Sequence, residues 1–401
     1  MKFMITLLMA WAISSHMPHT INSGETVVIT EDIDLQGQTM DLPSDVKLSF
    51  QGGVIMNGTI IGDETRIDCQ SVAFDNVSIK GSWDVSVIYS SWFRSLDNVN
   101  ALREVFAMTS PDRHNKVIIS EGEYSVAVYK ASESCLEIGS NTQVQLDGTI
   151  KMLQNHYSGC NVVSISGCHV SLDGKGAIIG DKDSHLGTKG EWGMGINVSN
   201  AKNIHISGIT VKDCWGDCIY IGKESEDVTV DSCTLENGRR QGISVTSATD
   251  VTIRNVIIKN IVGTAPGYAI DIEPNKDERI DNVLIEGINA SDCEGGIFST
   301  GHAINAFIGS IIIKNCTIEN TTKMPIRMEK CSSVSISGCK ISNYPTLTAI
   351  RCNNVDSVDI RHNTILDINK SDSDKRLAYE GKRHIQAFHS KSSRISNNRI
   401  F

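Results

Sequence analysis

The chain has 401 residues, a formal net charge of −10 and a sequence pI near 5.6. This acidic balance argues against nucleic acid as a partner, because nucleic-acid binding needs a basic surface. Aromatic residues make up only 5% of the chain, so we expect ladders of aliphatic side chains to fill a narrow core.

Residues 1–15 have the pattern of a secretory signal peptide. Lys2 precedes an apolar stretch over residues 3–13, and Ser14 and Ser15 follow it. The apolar stretch is too short for a membrane-spanning helix, and no later stretch is apolar enough to span. We therefore expect a secreted or periplasmic protein.

Two regions precede the long C-terminal part. Residues 24–93 hold short alternating strands with glycine turns, which predicts a strand-rich N-terminal module. A helix is predicted from Asp97, as its N-cap, to Thr109, with apolar residues at helical spacing: Val99, Leu102, Val105 and Phe106. We expect this helix to cap the core that follows, since an open end exposes apolar surface and a strand edge.

Within the predicted β-helix domain, residues 94–401, this helix is followed by a repeat of roughly two dozen residues. Its β-branched runs end in Asn or Asp, at Asp213, Asn237, Asn260, Asp292, Asn320, Asn343 and Asp367. Strands such as GISV (242–245) and AIDI (269–272) lie between these endings. Repeats of this length predict an all-β solenoid, a parallel β-helix with at least two strands in each coil. A polar insertion (180–192) and a charged stretch (370–382) interrupt it.

Alternation within the strands predicts which side chains face outwards. The predicted core pairs are Ile219 and Ile221, Ile243 and Val245, Ile270 and Ile272, and Ile326 and Met328. The residues between and beside them form one outer ladder, which we name the wall: Asn197, Tyr220, Ser244, Asp271, Phe298, Arg327 and Arg351.

Twelve cysteines in a chain expected to be exported raise the question of disulfides. Cys233, Cys316 and Cys339 occupy the slot that Ile209, Val256 and Ile288 fill in sister coils, which predicts small buried thiols. Cys214 and Cys218 are better candidates for a bond. Their Cys-x-x-x-Cys spacing alone does not predict a metal site.

The segment DNVNALREVFAMT (97–109) followed by KVIISEGEYSV (116–126) resembles the N-terminal helix and first strand of the pectate-lyase-like superfamily of right-handed parallel β-helix proteins. This superfamily includes polygalacturonases and phage tailspikes, and the resemblance extends from Asp97 onward. It implies a right-handed parallel β-helix that binds or cleaves carbohydrate on its outer wall. Because tailspike-like proteins form trimers, it allows a monomer or a homotrimer.

Polygalacturonases carry an Asn-Thr-Asp-Gly coil, then a Gly-Asp-Asp-Cys coil and then a Gly-His-Gly coil. This sequence has Met194 in place of the first Asp and Gln241 in place of the His, and it keeps Asp217 in the middle coil. The resemblance therefore implies a role for Asp217 as a supporting carboxylate, without the companions found in that family.

Asp271 and Glu273 form a better candidate pair. They flank the inward-facing Ile272, so both carboxylates project from one face, with Cα atoms about 6.7 Å apart. This spacing places the carboxyl groups in the range, roughly 5 to 9.5 Å, that glycosidases use. Two close carboxylates separate their pKa values, so that one serves as acid and the other as base or nucleophile. The alternative is a pair of solvated surface charges.

Aromatic and basic residues surround this pair in the predicted coils. Tyr220, Phe298, Trp215, Tyr268 and Trp192 are candidates for stacking on sugar faces. Arg239, Arg240 and Arg327, with the more distant Arg351, are candidates to bind carboxylates or sulfates, which favours an anionic polysaccharide.

Three functions stay open. The first is hydrolysis of a polysaccharide by Asp271 and Glu273. The second is a polysaccharide lyase, whose base would be Arg239, Arg240, Tyr220 or His302. The hydrolase needs no cofactor, whereas in the lyase the carboxylate pair would hold calcium. The third is a non-catalytic glycan-binding solenoid.

Overall fold

Three rows of short parallel strands run along this chain, whose computed structural model describes residues 20–94, 99, 101–366 and 384–401. The first row comprises Ser134–Ile138, Ile219–Gly222, Ile243–Val245, Tyr268–Ile272, Gly295–Thr300, Ile326–Glu329, Ile350–Asn353 and Ile385–Phe388. The second row comprises Asn115–Ile119, Thr142–Leu146, Ser225–Asp231, Ala248–Arg254, Arg279–Glu286, Phe307–Ile308, Ser310–Lys314, Ser333–Ser337, Ser357–Arg361 and Ser392–Ser396.

The third row comprises Glu123–Val126, Thr149–Met152, Ala177–Ile179, Thr210–Lys212, Thr234–Glu236, Ile257–Lys259, Asn289–Ser291, Thr317–Glu319, Lys340–Ser342, Thr364–Leu366 and Arg399–Ile400. Two long strands, Gly159–Gly174 and Trp192–Ser207, run through both the first and the second row. Each coil thus carries three strand segments, and the prediction of a parallel β-helix is confirmed.

The first row has the register that the sequence predicts. Strand pairing places the wall residues side by side, from Asn197 through Tyr220, Ser244, Asp271, Phe298 and Arg327 to Arg351. The predicted core residues beside them, including Ile243, Val245, Ile270 and Ile272, are fully buried. The wall is therefore confirmed as one outward-facing ladder.

The Asn and Asp residues that end each β-branched run have left-handed backbone conformations, which these two residue types tolerate better than other non-glycine residues. Their φ angles are 55° at Asp213, 58° at Asn237, 53° at Asn260, 57° at Asp292, 55° at Asn320 and 49° at Asn343. Their side chains also bond from coil to coil. Asn237 donates to Asp213 Oδ1 at 2.9 Å and accepts from Asn260 Nδ2 at 2.6 Å.

This ladder leads to a testable expectation for stability. Asn237→Ala should lower the free energy of unfolding by about 2–3 kcal/mol, because it loses two hydrogen bonds and places a Cβ-bearing residue without a local polar partner in the left-handed region. Asn237→Gly should cost about 1 kcal/mol less, because glycine adopts that conformation freely. Urea unfolding of both variants measures the difference, and equal losses would contradict the role of the backbone conformation.

The corner between the second and third rows has a constant length. Two residues separate the strands there in each coil from Thr142–Leu146 to the last described coil, as with 232–233 and 255–256. The second residue of this corner is buried in every described coil except the last, and Cys233, Cys316 and Cys339 fill it alongside Ile209, Val256 and Ile288. The predicted buried thiols are confirmed. Cys214 and Cys218 are also free rather than bonded to each other, as are the other cysteines.

The turns beside the first row vary instead. Only residues 223–224 separate Ile219–Gly222 from the second row, whereas residues 273–278 do so after Tyr268–Ile272. The polar insertion falls in the turn before the long strand Trp192–Ser207. Within residues 115–366 and 384–401, coils therefore differ in length only where they border the wall or at the first corner of the rod.

The N-terminal module is also built from parallel strands: Thr26–Ile29, Ile33–Asp34, Thr39–Asp41, Lys47–Phe50, Ile55–Asp68, Phe74–Trp83, Val87–Tyr89 and Phe93–Arg94, with a 3₁₀ turn at Ser90–Trp92. Val87–Tyr89 pairs with Asn115–Ile119, so the module continues into the second row.

The predicted helix is shorter than expected and spans Ala101–Ala107. Val99 precedes it, and Asp97 lies outside the described residues. Leu102, Val105 and Phe106 are buried as predicted. The helix packs against both the N-terminal module and the first coils of the rod, so it lies between two strand layers rather than at a free end.

The predicted signal peptide (1–15), Asp367 and the charged stretch (370–382) also lie outside the described residues. Among the residues that are described, no helix combines the length and apolar character needed to cross a bilayer.

Candidate functional site

A groove of about 520 Å³ runs along the wall on the N-terminal side of Asp271. Its floor follows the ladder from Glu137 through Ser164, Asn197, Tyr220 and Ser244 to Asp271. Strand spacing makes this floor roughly 24 Å long. Further lining residues are mainly Ser, Asn and Thr side chains, joined by Trp192, Lys223, Arg240 and Glu273. The groove is therefore long and lined mainly by uncharged polar side chains.

Asp271 lies on the floor of this groove and is only 1% exposed. Gln241 Nε2 donates to its Oδ2 at 2.8 Å, while Gln241 Oε1 accepts the backbone N–H of Tyr268 at 2.7 Å. Gln241 is itself fully buried, so it fixes the orientation of the carboxyl group. The other oxygen, Oδ1, is also buried.

Glu273 lines the groove beside Asp271, as the strand alternation predicts, and its carboxyl group is close enough to interact with that of Asp271. Burial, the Glu273 carboxylate and Asp217 raise the pKa of Asp271 well above its usual range, and the Arg240 guanidinium opposes them. Asp271 is therefore a carboxyl group that retains its proton at a pH where an exposed Asp has lost it.

Asp217 lies beneath the same part of the wall and is fully buried. Arg240 Nη1 contacts its Oδ2 at 3.1 Å, and Ser244 Oγ donates to the same oxygen at 2.7 Å. Arg240 also pairs with Glu191 of the insertion, with Nε and Oε2 3.2 Å apart. Burial raises the pKa of Asp217, although Arg240 and Ser244 favour its ionised form. Asp217 thus belongs to a buried ion pair beside Asp271.

The aromatic candidates other than Trp192 are less exposed than expected. Tyr220 lines the groove half-buried, with its hydroxyl 2.8 Å from Thr246 Oγ1. Tyr268 and Phe298 are 4% and 9% exposed because they stack on each other, with ring centroids 4.9 Å apart. The ring of Tyr268 lies over Gly295, where any Cβ would clash. Their ring faces are covered and not free for a sugar, which corrects the prediction.

Trp215 is also buried, at 7% exposure, inside a stack that the insertion helps to build. The ring of His185 stacks on it at 3.9 Å, and the guanidinium of Arg239 lies over it at 3.9 Å. His185 Nδ1 is 2.8 Å from Asp181 Oδ2. Trp192, in contrast, is 57% exposed at the groove and offers an open ring face.

Arg239, a predicted substrate clamp, contacts the insertion. Its Nη1 donates to the carbonyl of Gly190 at 2.6 Å and to that of Trp215 at 3.4 Å, and its Nη2 donates to the carbonyl of Thr188 at 3.4 Å. The position of Arg239 fits a residue that fastens the insertion to the rod, next to Glu191 and Arg240.

Removing this contact should loosen the insertion. We expect Arg239→Ala to speed trypsin cleavage after Lys182 or Lys189 by about tenfold, because the cation–π contact and three hydrogen bonds are lost. Arg254→Ala is a matched control, since it also removes one trypsin site but breaks only a surface pair with Asp231. Limited proteolysis followed by mass spectrometry gives the rates, and equal rates in both variants would contradict this role.

Arg327 and Arg351 lie on the wall beyond Asp271, outside the groove lining. Both contact the buried Glu329: Arg327 Nε is 2.8 Å and Arg351 Nη2 is 3.5 Å from its Oε1. His302 Nε2 is 3.2 Å from the other oxygen. Despite burial, these contacts keep the pKa of Glu329 below its usual range. Arg327 also lies over the ring of Phe298, at 5.3 Å.

The structure brings Asp217, Tyr220, Arg240, Asp271 and Glu273 together at one end of the groove. It places Trp215 and Arg239 against the insertion, and Tyr268, Phe298 and Arg327 towards the next coils. Sequence reasoning missed the support given by Gln241, Glu191 and Ser244. Ser244 was visible as a wall residue, but nothing in the sequence pairs it with Asp217. Among the described residues, no cluster of three or more His, Cys, Asp or Glu side chains is suited to hold a metal ion.

The fold and its wall define a class of protein. Residues 117–312 match the family model of the right handed beta helix region. The chain has a right-handed parallel β-helix fold, as the resemblance in its sequence implied.

Among particular proteins, the chain is 27% identical over 231 residues to the uncharacterized protein YorA, derived from the SPbeta prophage of Bacillus subtilis strain 168. That match covers 52% of this chain and 39% of YorA, so the chain spans about two fifths of this relative. Among solved structures, ORF18 of Geobacillus virus E2 is 11% identical with a TM-score of 0.50, covering 79% of this chain and 62% of that one.

A tailspike mutant of the E. coli bacteriophage HK620, solved in complex with a hexasaccharide, is 11% identical with a TM-score of 0.46. It covers 94% of this chain and 73% of the tailspike.

Proposed function

We propose that this protein hydrolyses glycosidic bonds of a polysaccharide bound along the groove, with Asp271 as general acid and Glu273 as its partner carboxylate. One observation carries the proposal: a buried carboxyl group with a raised pKa lies next to a second carboxyl group on the floor of a long polar groove. Carboxyl pairs whose environments separate their pKa values are the chemistry of glycoside hydrolysis.

The reaction balances with these two groups and water. Asp271 gives its proton to the glycosidic oxygen as the bond to the anomeric carbon breaks. In a direct displacement, the oxygen of a water molecule bonds to that carbon, Glu273 takes the water proton, and proton exchange with solvent restores both carboxyl groups. In a two-step reaction, the Glu273 carboxylate first bonds to that carbon; water then breaks this bond and gives its proton to Asp271, which restores both groups. In this proposal Gln241 and the Asp217–Arg240 pair are positioning residues. Gln241 holds the carboxyl group of Asp271. The Asp217–Arg240 pair shapes the charge environment of that group, and neither takes part in breaking the glycosidic bond.

Lyase chemistry is less well supported by the same contacts. Arg239 and Arg240 are engaged with carbonyls and carboxylates, and His302 is next to Glu329. Burial raises the pKa of Tyr220, which makes it a weaker source of a phenolate base. We also propose, from residues 1–15, that the protein acts after export.

The test is to incubate the protein with a panel of polysaccharides and to follow new reducing ends and ultraviolet absorbance from unsaturated uronates in the same tubes. Hydrolysis gives reducing ends without absorbance. Absorbance that rises with the reducing ends would identify a lyase. Binding without either signal would identify a glycan-binding solenoid.

A further inference from the structure

We infer that the groove takes a neutral, hydroxyl-rich glycan and not the anionic polysaccharide that the arginines on and near the wall suggested. This inference rests on the proposed function and specifies its substrate class. It follows from the partners of each cation near the groove, the carboxylates on its floor and the kind of polar side chain that covers the rest.

The lining of the groove contains two cations, Arg240 and Lys223. The guanidinium of Arg240 is held by Asp217 on one side and Glu191 on the other, and only 18% of its side chain is exposed. Lys223 lies in the turn at the edge of the first row, next to Glu224. A substrate carboxylate on the floor would therefore have no unengaged arginine to bind.

The floor itself carries acidic groups. Glu137 lies at one end and Asp271 and Glu273 lie at the other, with Asp217 buried directly behind. Even with Asp271 protonated, the carboxylates in and behind the groove equal or outnumber the two cations. A polymer with a charge on every sugar would place like charges side by side along this floor, where they repel one another.

The arginines beyond Asp271 do not change this balance within the groove. Arg327 and Arg351 share Glu329. They lie one and two coils past Phe298, whose ring separates them from Asp271 along the wall. The guanidinium of Arg239 donates a hydrogen bond to a backbone carbonyl of the insertion. Each arginine that the sequence offered as an anion clamp thus has a partner from its own chain.

The rest of the lining suits uncharged sugars. Side chains that both donate and accept hydrogen bonds cover the floor and sides, among them Ser132, Ser134, Asn161, Ser164, Asn197 and Ser199. Hydroxyl and amide groups match the mixed donor and acceptor pattern of sugar hydroxyls. Trp192, exposed at the groove, adds an apolar face on which a sugar ring can stack.

The experiment compares two matched panels with the full chain: neutral polymers (glucans, mannans, galactans and N-acetylated glycans) and uronate polymers (polygalacturonate, alginate and glucuronans). We expect kcat/KM on the best neutral polymer to exceed that on the best uronate polymer by at least about tenfold. The neutral activity should change less than about twofold between low and high salt.

Cleavage confined to uronate polymers would overturn the inference and leave the proposed function standing. No cleavage in either panel would overturn the proposed function itself. Glu137→Gln should raise the ratio of uronate to neutral activity, because it removes a negative charge from the floor. Asp359→Asn, a carboxylate of the second row, is the control. An unchanged ratio for Glu137→Gln would overturn the electrostatic argument.

Discussion

Asp271→Asn is expected to reduce kcat on the cleaved glycan by about 10²–10⁴-fold, the range that general acid–base groups contribute. The amide cannot give a proton to the leaving oxygen, yet it has the size of the carboxyl group and can still bond to Gln241. Glu273→Gln should cause a loss in the same range. Initial rates of reducing-end formation, at saturating and at low substrate, measure the effect on kcat and on kcat/KM.

Asp359→Asn is the matched control, because Asp359 is an outward carboxylate of the second row, paired with Arg361 and remote from the groove. It should keep wild-type activity. Near-wild-type turnover in both Asp271→Asn and Glu273→Gln, with normal folding by circular dichroism, would contradict the assignment of the pair.

The activity and the stability should both depend on pH in a definite direction. Activity should fall as pH rises through the raised pKa of Asp271, because the acid is then ionised. Stability follows the same direction. A carboxyl group whose pKa is higher in the folded than in the unfolded state stabilises the folded state. This contribution is fully present below the pKa of the unfolded state, about 3.9, and is lost as pH rises through the pKa of the folded state. Asp271→Asn should remove that slope from a plot of urea midpoint against pH.

Arg240→Met is expected to lower the free energy of unfolding by about 3–5 kcal/mol, the largest effect on stability that we expect from one substitution. Met keeps much of the side-chain volume, but Asp217 is left buried without its charge partner and Glu191 loses its link to the rod. Urea unfolding at pH 5 and pH 7.5 measures the loss. The loss of stability should be greater at pH 7.5 than at pH 5. Without Arg240 the pKa of Asp217 in the folded state rises further, so the folded state pays more for the ionised form of Asp217 at the higher pH.

The double variant Arg240→Met/Asp217→Asn provides the control. It removes both charges and should recover at least half of the loss, because the cost comes from an unpaired buried charge rather than from the missing contacts. A loss below about 1 kcal/mol in Arg240→Met, or a double variant as unstable as Arg240→Met, would contradict the buried-pair interpretation.

The wall could be predicted from sequence because it depends only on the alternation within each strand and on the repeat. The order from Asn197 to Arg351 is the order in the structure. The Asn and Asp endings marked the coils for a reason that the sequence did not reveal, their left-handed backbone. The position of Asp271 beside Glu273 follows from the same alternation.

What could not be predicted depends on contacts between coils and on the insertion. Arg239 and Arg240 were interpreted as free cations because Gly190 and Glu191 lie about 50 residues earlier in the chain, with no periodicity to link them. Tyr268 was expected to be exposed, but Gly295 in the next coil makes room for its ring. The burial of Asp271 likewise depends on the side chains around it, and not on its own strand.

The constant two-residue corner and the variable turns beside the first row divide the coils into a frame of constant length and an adjustable border. A change in the length of a turn at this border leaves the pairing of all three rows intact, because the strands on both sides keep their register. New loops can therefore be grafted next to the groove, one coil at a time, without rebuilding the core. The architecture separates the residues that maintain the fold from the turns that can change the shape of the groove.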